Sequence, residues 1–163
     1  MEIKGPPPLV TSGAEGQPAA GSGGGPSEPR LVLGHAFEAL EWKTVEAPQA
    51  DWAIEMEVTP RVVNSSGALQ GGLLATLIDL VAGTALLRGE EAYERTATSE
   101  LQVSFLAGAR VGPVLATAHV LRRGRRSAVV RVDVHDRGAQ DLYVATATLT
   151  FAVRSKSEGS NTN

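Results

Sequence analysis

Hydrophobic and polar residues alternate along much of the chain between residues 42 and 151. Trp52, Ile54, Met56 and Val58 alternate with Ala53, Glu55, Glu57 and Thr59. That period of two predicts a strand with one wet face, stopped by Pro60. Trp42–Val45 predicts the start of an earlier strand. Residues 96–106 set Ala97, Ser99, Leu101, Val103 and Phe105 against Thr98, Glu100, Gln102 and Ser104. Residues 111–121 predict a further strand that turns at Arg122-Arg123-Gly124-Arg125-Arg126. Residues 127–135 place Val130, Val132 and Val134 on one face. After the turn sequence DRGAQD, residues Tyr143, Ala145, Ala147, Leu149 and Phe151 share a face opposite Thr146, Thr148 and Thr150.

The stretch LLATLIDLVAGTALL, residues 73–87, breaks this period. Leu73, Leu77, Leu80, Val81 and Thr84 follow helical spacing, and most other positions are apolar or small. A helix apolar nearly all round is one that other elements wrap. Arg88–Glu90, with Gly89, ends it. Residues 61–72 read as a loop closing on Gly71-Gly72, and Leu31–Ala39 as a short leading helix. One buried helix with hairpin-linked strands predicts an α+β fold with an antiparallel sheet. The sheet edge is a natural joint for a second subunit.

Composition sharpens this picture at the ends. Residues 1–30 hold seven glycines and six prolines, with Ile3, Leu9 and Val10 the only large aliphatics. Such a segment offers little apolar area to offset the entropy of ordering, so a flexible tail is expected. A polar tail is expected over 154–163, leaving a packed unit at 31–153. The net charge of −3 excludes a strongly basic nucleic-acid binder, and 4% aromatic content leaves few stacking platforms. The absence of cysteine excludes disulfides and thiolate chemistry and is compatible with a reducing compartment. No apolar run reaches the ~18 residues of a membrane span, and no secretory leader follows Met1. A cytoplasmic protein is expected. His35, His119 and His135 form no spaced ligand motif, so no metal and no cofactor are expected.

Asp79 is the one charge in the apolar helix. An unpaired buried carboxylate is costly, so it requires a partner, a wet interface or a chemical task. Gln70-Gly71-Gly72 precedes it. Amides at a helix start have no intrahelical acceptor and point out of its positive end, and glycine permits close approach of a carbonyl. Such donors can hold the oxyanion of an acyl-transfer transition state. Asn64 has an amide able to place water or a carbonyl, although Asn before Ser-Ser-Gly is commonly a turn residue.

The segment Asn64 to Asp79, N-S-S-G-A-L-Q-G-G-L-L-A-T-L-I-D, resembles the active-site signature of hotdog-fold acyl-CoA thioesterases of the PaaI-like branch. Thr98–Ala109 and Val111–Arg126 resemble the strands that follow it. The resemblance implies a hotdog fold, an antiparallel sheet wrapped around a long central helix. It implies a homodimer or a dimer-of-dimers tetramer with active sites at subunit interfaces. It makes Asp79 nucleophile or general base, Gly71 the oxyanion donor, and Asn64 the placer of water or carbonyl from the other subunit. Thr98 falls near the place of a helping hydroxyl, with Ser99 its rival. Gln70 stands where the family usually has His, which argues against hydratase chemistry and keeps a non-catalytic acyl-thioester binder as the alternative. Gln70 and Gly72 are expected near the substrate. The arginine turn is either a solvated hairpin or, through Arg123 and Arg125, a contact to coenzyme A phosphates. An acyl-CoA substrate is expected, with an acyl-carrier-protein thioester and several acyl groups left open.

Overall fold

The computed structural model describes residues 40–88 and 93–154. The expected N-terminal tail, the leading helix with His35, the Gly89–Glu90 helix stop and residues 155–163 lie outside the described residues. Six strands and one long helix follow in chain order: β1 (Trp42–Thr44), β2 (Trp52–Met56), α1 (Gly71–Leu87), β3 (Arg95–Phe105), β4 (Val114–Arg123), β5 (Ser127–Asp136) and β6 (Leu142–Arg154). The sheet runs β1-β2-β4-β5-β6-β3, antiparallel throughout. α1 packs on one face and touches five strands. This is the α+β hotdog arrangement.

The core forms where the two periods meet. Leu74, Leu77, Ile78, Val81 and Leu86 of α1 are buried against Ile54, Met56, Val114, Val130, Val132, Val134, Leu149 and Phe151. Each such side chain contributes about 1.5–3 kcal/mol by leaving water. The expected wet face of β2 fails at Ala53, which is buried beside its cross-strand partner Thr117. Gly71 and Gly72 are the first two helical residues rather than the end of a loop, because Gln70 already has extended backbone at the N-cap and its carbonyl accepts from Leu73 and Leu74 at 3.0 Å.

Two bulges redirect side chains that strict alternation places on the wrong face. In β3, Thr98 pairs with Phe151 and Glu100 with Thr150, so Ser99 is the extra residue. Thr98 thereby joins Leu101, Val103 and Phe105 on the helix side. In β6, Val144 is extra between Tyr143 and Ala145. Tyr143 therefore leaves the core face, stacks on His135 at 4.8 Å and donates to Asp133 at 2.6 Å.

Asp136 ends β5 with no exposed surface. Its carboxylate accepts the backbone N–H groups of Arg110 (2.8 Å), Val111 (3.0 Å) and Gly112 (2.7 Å). Burial pushes its pKa up, but these donors, with Ala139, outweigh burial and hold it below the usual range. Because the folded value lies below the unfolded value of about 3.9, its stabilisation is whole above that pH and is lost as pH falls through the folded value. Asp136→Asn is expected to cost about 2–4 kcal/mol at neutral pH. In urea melts the gap from wild type should narrow below pH 4; a gap independent of pH contradicts this account.

Candidate active site

Asp79 lies two turns into α1, half-buried. The β3 bulge aims Thr98 at it, and the Thr98 hydroxyl donates to Asp79 Oδ1 at 2.6 Å. The carboxylate thus gains the partner that its apolar helix lacks, and among the described residues the hydrogen bond is to Oδ1, not Oδ2. Ser99 does not compete: its hydroxyl donates across the sheet to the Thr150 carbonyl at 3.0 Å. Asp79 forms part of the wall of a cavity of about 100 Å³, otherwise built largely from Leu40, Trp42, Met56, Leu77 and Leu80. Trp42 and Met56 read in the sequence only as strand residues; no local pattern marks them as neighbours of Asp79.

Asn64 and Gly71 form a second group. Both line a cavity of about 380 Å³ with Leu74, Phe105, Leu106 and Arg110. Asn64 Oδ1 accepts from the Ser66 N–H (2.9 Å), the Ser66 hydroxyl (2.7 Å) and the Ala68 N–H (3.2 Å). The turn reading of Asn64 is therefore correct in geometry, and its Nδ2 is the group that remains for a ligand. The loop closes through Gly67, whose φ of +75° is the left-handed conformation that glycine adopts without strain. Among the described residues, the Gly71 and Gly72 amides donate to no backbone carbonyl. Gln70 is exposed, and its side chain makes no capping hydrogen bond.

The two groups do not meet within one chain. Gly71 and Asp79 are eight residues apart on one helix, a rise of about 12 Å. The arginine turn is also apart from Asn64 and Gly71. Arg123 donates to the Ala85 carbonyl at 3.0 Å and lies over the Tyr93 ring at 5.6 Å, tying the turn to the end of α1. Arg125 is exposed on the turn. Among the described residues, no group of three His, Asp or Glu side chains is placed to hold a metal, and no helix is long and apolar enough to cross a membrane.

Comparison with known proteins agrees with this fold. The family model of the thioesterase superfamily matches residues 66–143, the span from the Asn64 loop through β5 to Tyr143. The medium/long-chain acyl-CoA thioesterase YigI of Escherichia coli is 35% identical over 98 residues, covering 52% of this chain and 62% of that protein. Human acyl-coenzyme A thioesterase 13 is 33% identical over 89 residues, covering 54% of this chain and 63% of that protein. The match thus spans less than two thirds of either enzyme. A thioesterase crystal structure from Haemophilus influenzae shares the fold with a TM-score of 0.68 at 21% identity, covering 80% of this chain and 90% of that one. Residues 66–143 are thus similar to the thioesterase superfamily, and the chain shares the fold of its solved structures.

Folding alone does not demand glycine at the helix start. A Cβ on Gly71 would meet Phe105 at 3.6 Å, an ordinary contact, and one on Gly72 would meet nothing within 4 Å. What a Cβ at position 71 would take is cavity space beside a free amide. Gly71→Ala should keep the melting temperature or raise it, by up to about 1 kcal/mol of added stability. The activity of the site should fall at least about tenfold. Equal activity in the two proteins contradicts a ligand at that amide.

Proposed function

We propose that this protein hydrolyses an acyl-CoA thioester to a carboxylic acid and free coenzyme A. The observation that carries the reading is the Thr98–Asp79 hydrogen bond on the wall of an apolar cavity. A carboxylate held by one oxygen, with the other open beside apolar walls, is suited to act on a carbonyl whose acyl group those walls receive. The names of the relatives at 33–35% identity support the same substrate class.

Water supplies the hydroxyl and the proton of the products. By the general-base route, Asp79 takes a proton from water as its oxygen bonds to the thioester carbon. The carbonyl electrons move to oxygen, where the Gly71 N–H stabilises the charge. Collapse breaks the carbon–sulfur bond, and the departing thiolate receives the proton. By the nucleophilic route, an Asp79 oxygen bonds first and expels the thiolate, and water then cleaves the mixed anhydride. Both routes need the carboxylate and the amide within reach of one carbonyl.

That requirement leads to a second chain. The amide end of α1 and Asp79 are about 12 Å apart on a rigid element, so the Gly71 and Asn64 of one subunit serve the Asp79 and Thr98 of another. β3 supports such pairing: it carries Thr98, lies at the sheet edge and is paired among the described residues only on its β6 side. We propose a homodimer or a dimer of dimers with shared sites. Gln70 and Gly72 flank the entering thioester, and Arg125 is the turn residue offered to the coenzyme phosphates.

Thiol release from a panel of acyl-CoAs tests the reading. Wild type should turn over at least one of them. Asp79→Ala should lower kcat at least about a hundredfold, and Thr98→Val about tenfold. Equal release by wild type and Asp79→Ala refutes the assignment, and binding without turnover across the panel replaces hydrolase with thioester-binding protein.

A further inference from the structure

The loop that carries Asn64 is held from outside itself. Leu69 N–H donates to the Ala109 carbonyl at 2.7 Å. The Arg110 guanidinium donates to the Ser66 carbonyl at 2.5 Å. Gly108 lets the two segments close, since a Cβ there would come within 3.0 Å of the Ala68 Cβ. Ser66 and Ala68 are the residues whose N–H groups fix the Asn64 side chain. Any shift of the 108–112 segment is therefore passed to Asn64, and through Leu69 and Gln70 to the start of α1.

One side chain binds three N–H groups of that segment. The three successive N–H groups of Arg110, Val111 and Gly112 all point at the Asp136 carboxylate. Oδ2 takes the first two and Oδ1 the third, so the carboxylate sets both the position and the tilt of the backbone from which the Arg110 side chain departs. Gly112 packs too closely for any side chain, since a Cβ there would lie 2.9 Å from the Val58 nitrogen.

We propose that Asp136 and Arg110 are positioning residues that hold Asn64 and the Gly71 amide in register, a role that rests on the thioesterase reading above. Asp136 acts through the 110–112 backbone, and Arg110 acts through the Ser66 carbonyl. Neither performs chemistry.

The test uses the full chain with Arg110→Ala, Arg110→Lys and Asp136→Asn. Arg110 is exposed, so its variants report even where Asp136→Asn folds poorly. Arg110→Ala should lower kcat about tenfold with KM within about twofold of wild type. Hydrogen exchange at the Ser66, Ala68 and Leu69 amides should rise about tenfold while the global melting transition stays near that of wild type. Arg110→Lys keeps one donor to the Ser66 carbonyl and should recover much of both effects. Unchanged exchange in Arg110→Ala overturns the proposal and leaves the thioesterase reading intact. A raised KM at unchanged kcat also overturns it, making Arg110 a substrate contact. Raised exchange in a protein whose wild type releases no thiol supports the coupling and removes the thioesterase reading instead.

Discussion

A straight helix cannot bring its own start to its middle. α1 packs against five strands, with eight of its seventeen residues buried. The free amides at Gly71 and the carboxylate at Asp79 are therefore held about 12 Å apart. The proposed chemistry needs both at one carbonyl. Two copies of a rigid chain can supply this where one cannot, with one copy's carboxylate facing the other's amides. The strand that presents Thr98 to Asp79 is also one of the two edge strands of the sheet among the described residues. On this reading, assembly and catalysis depend on the same element.

Two carboxylates in the fold meet the cost of burial in opposite ways. Asp136 is saturated: three successive backbone N–H groups converge on it, and it has no exposed surface. Such a group holds structure in place. Asp79 is half-buried and takes one hydroxyl donor at 2.6 Å, with apolar neighbours on its cavity wall. Its second oxygen is what a water or a carbonyl carbon can meet. The difference between the clamp and the proposed reagent lies in how many donors the surroundings provide, not in the type of residue.

The architecture was legible in the sequence because its two periods are clean. Val130, Val132 and Val134 are fully buried on the face that alternation predicts, and the all-round apolar stretch is the wrapped helix. Asp79 stood out because a charge within that stretch demands a partner. The partner itself was not fixed by alternation. Thr98 reaches Asp79 only because Ser99 bulges, and a bulge is set by sheet twist and cross-strand pairing rather than by local letters. Tyr143 leaves the core face for the same reason. The run of arginines read as either a solvated hairpin or a phosphate contact, and the hydrogen bond from Arg123 to the end of α1, between residues 38 apart in sequence, had no local signal. Arg110 carried no signal at all, since its role appears only when two loops are brought together.

The most direct measurement of a shared site is activity regained from two impaired parents. Asp79→Ala and Gly71→Ala subunits, dissociated together and allowed to reassemble, form mixed dimers in which one of the two sites has an intact Asp79 facing an intact Gly71. With random pairing about half the dimers are mixed and half their sites are intact, so the mixture should recover about a quarter of wild-type thiol release. Mixed dimers verified by native mass spectrometry that release no more thiol than the average of their parents would contradict the two-chain site.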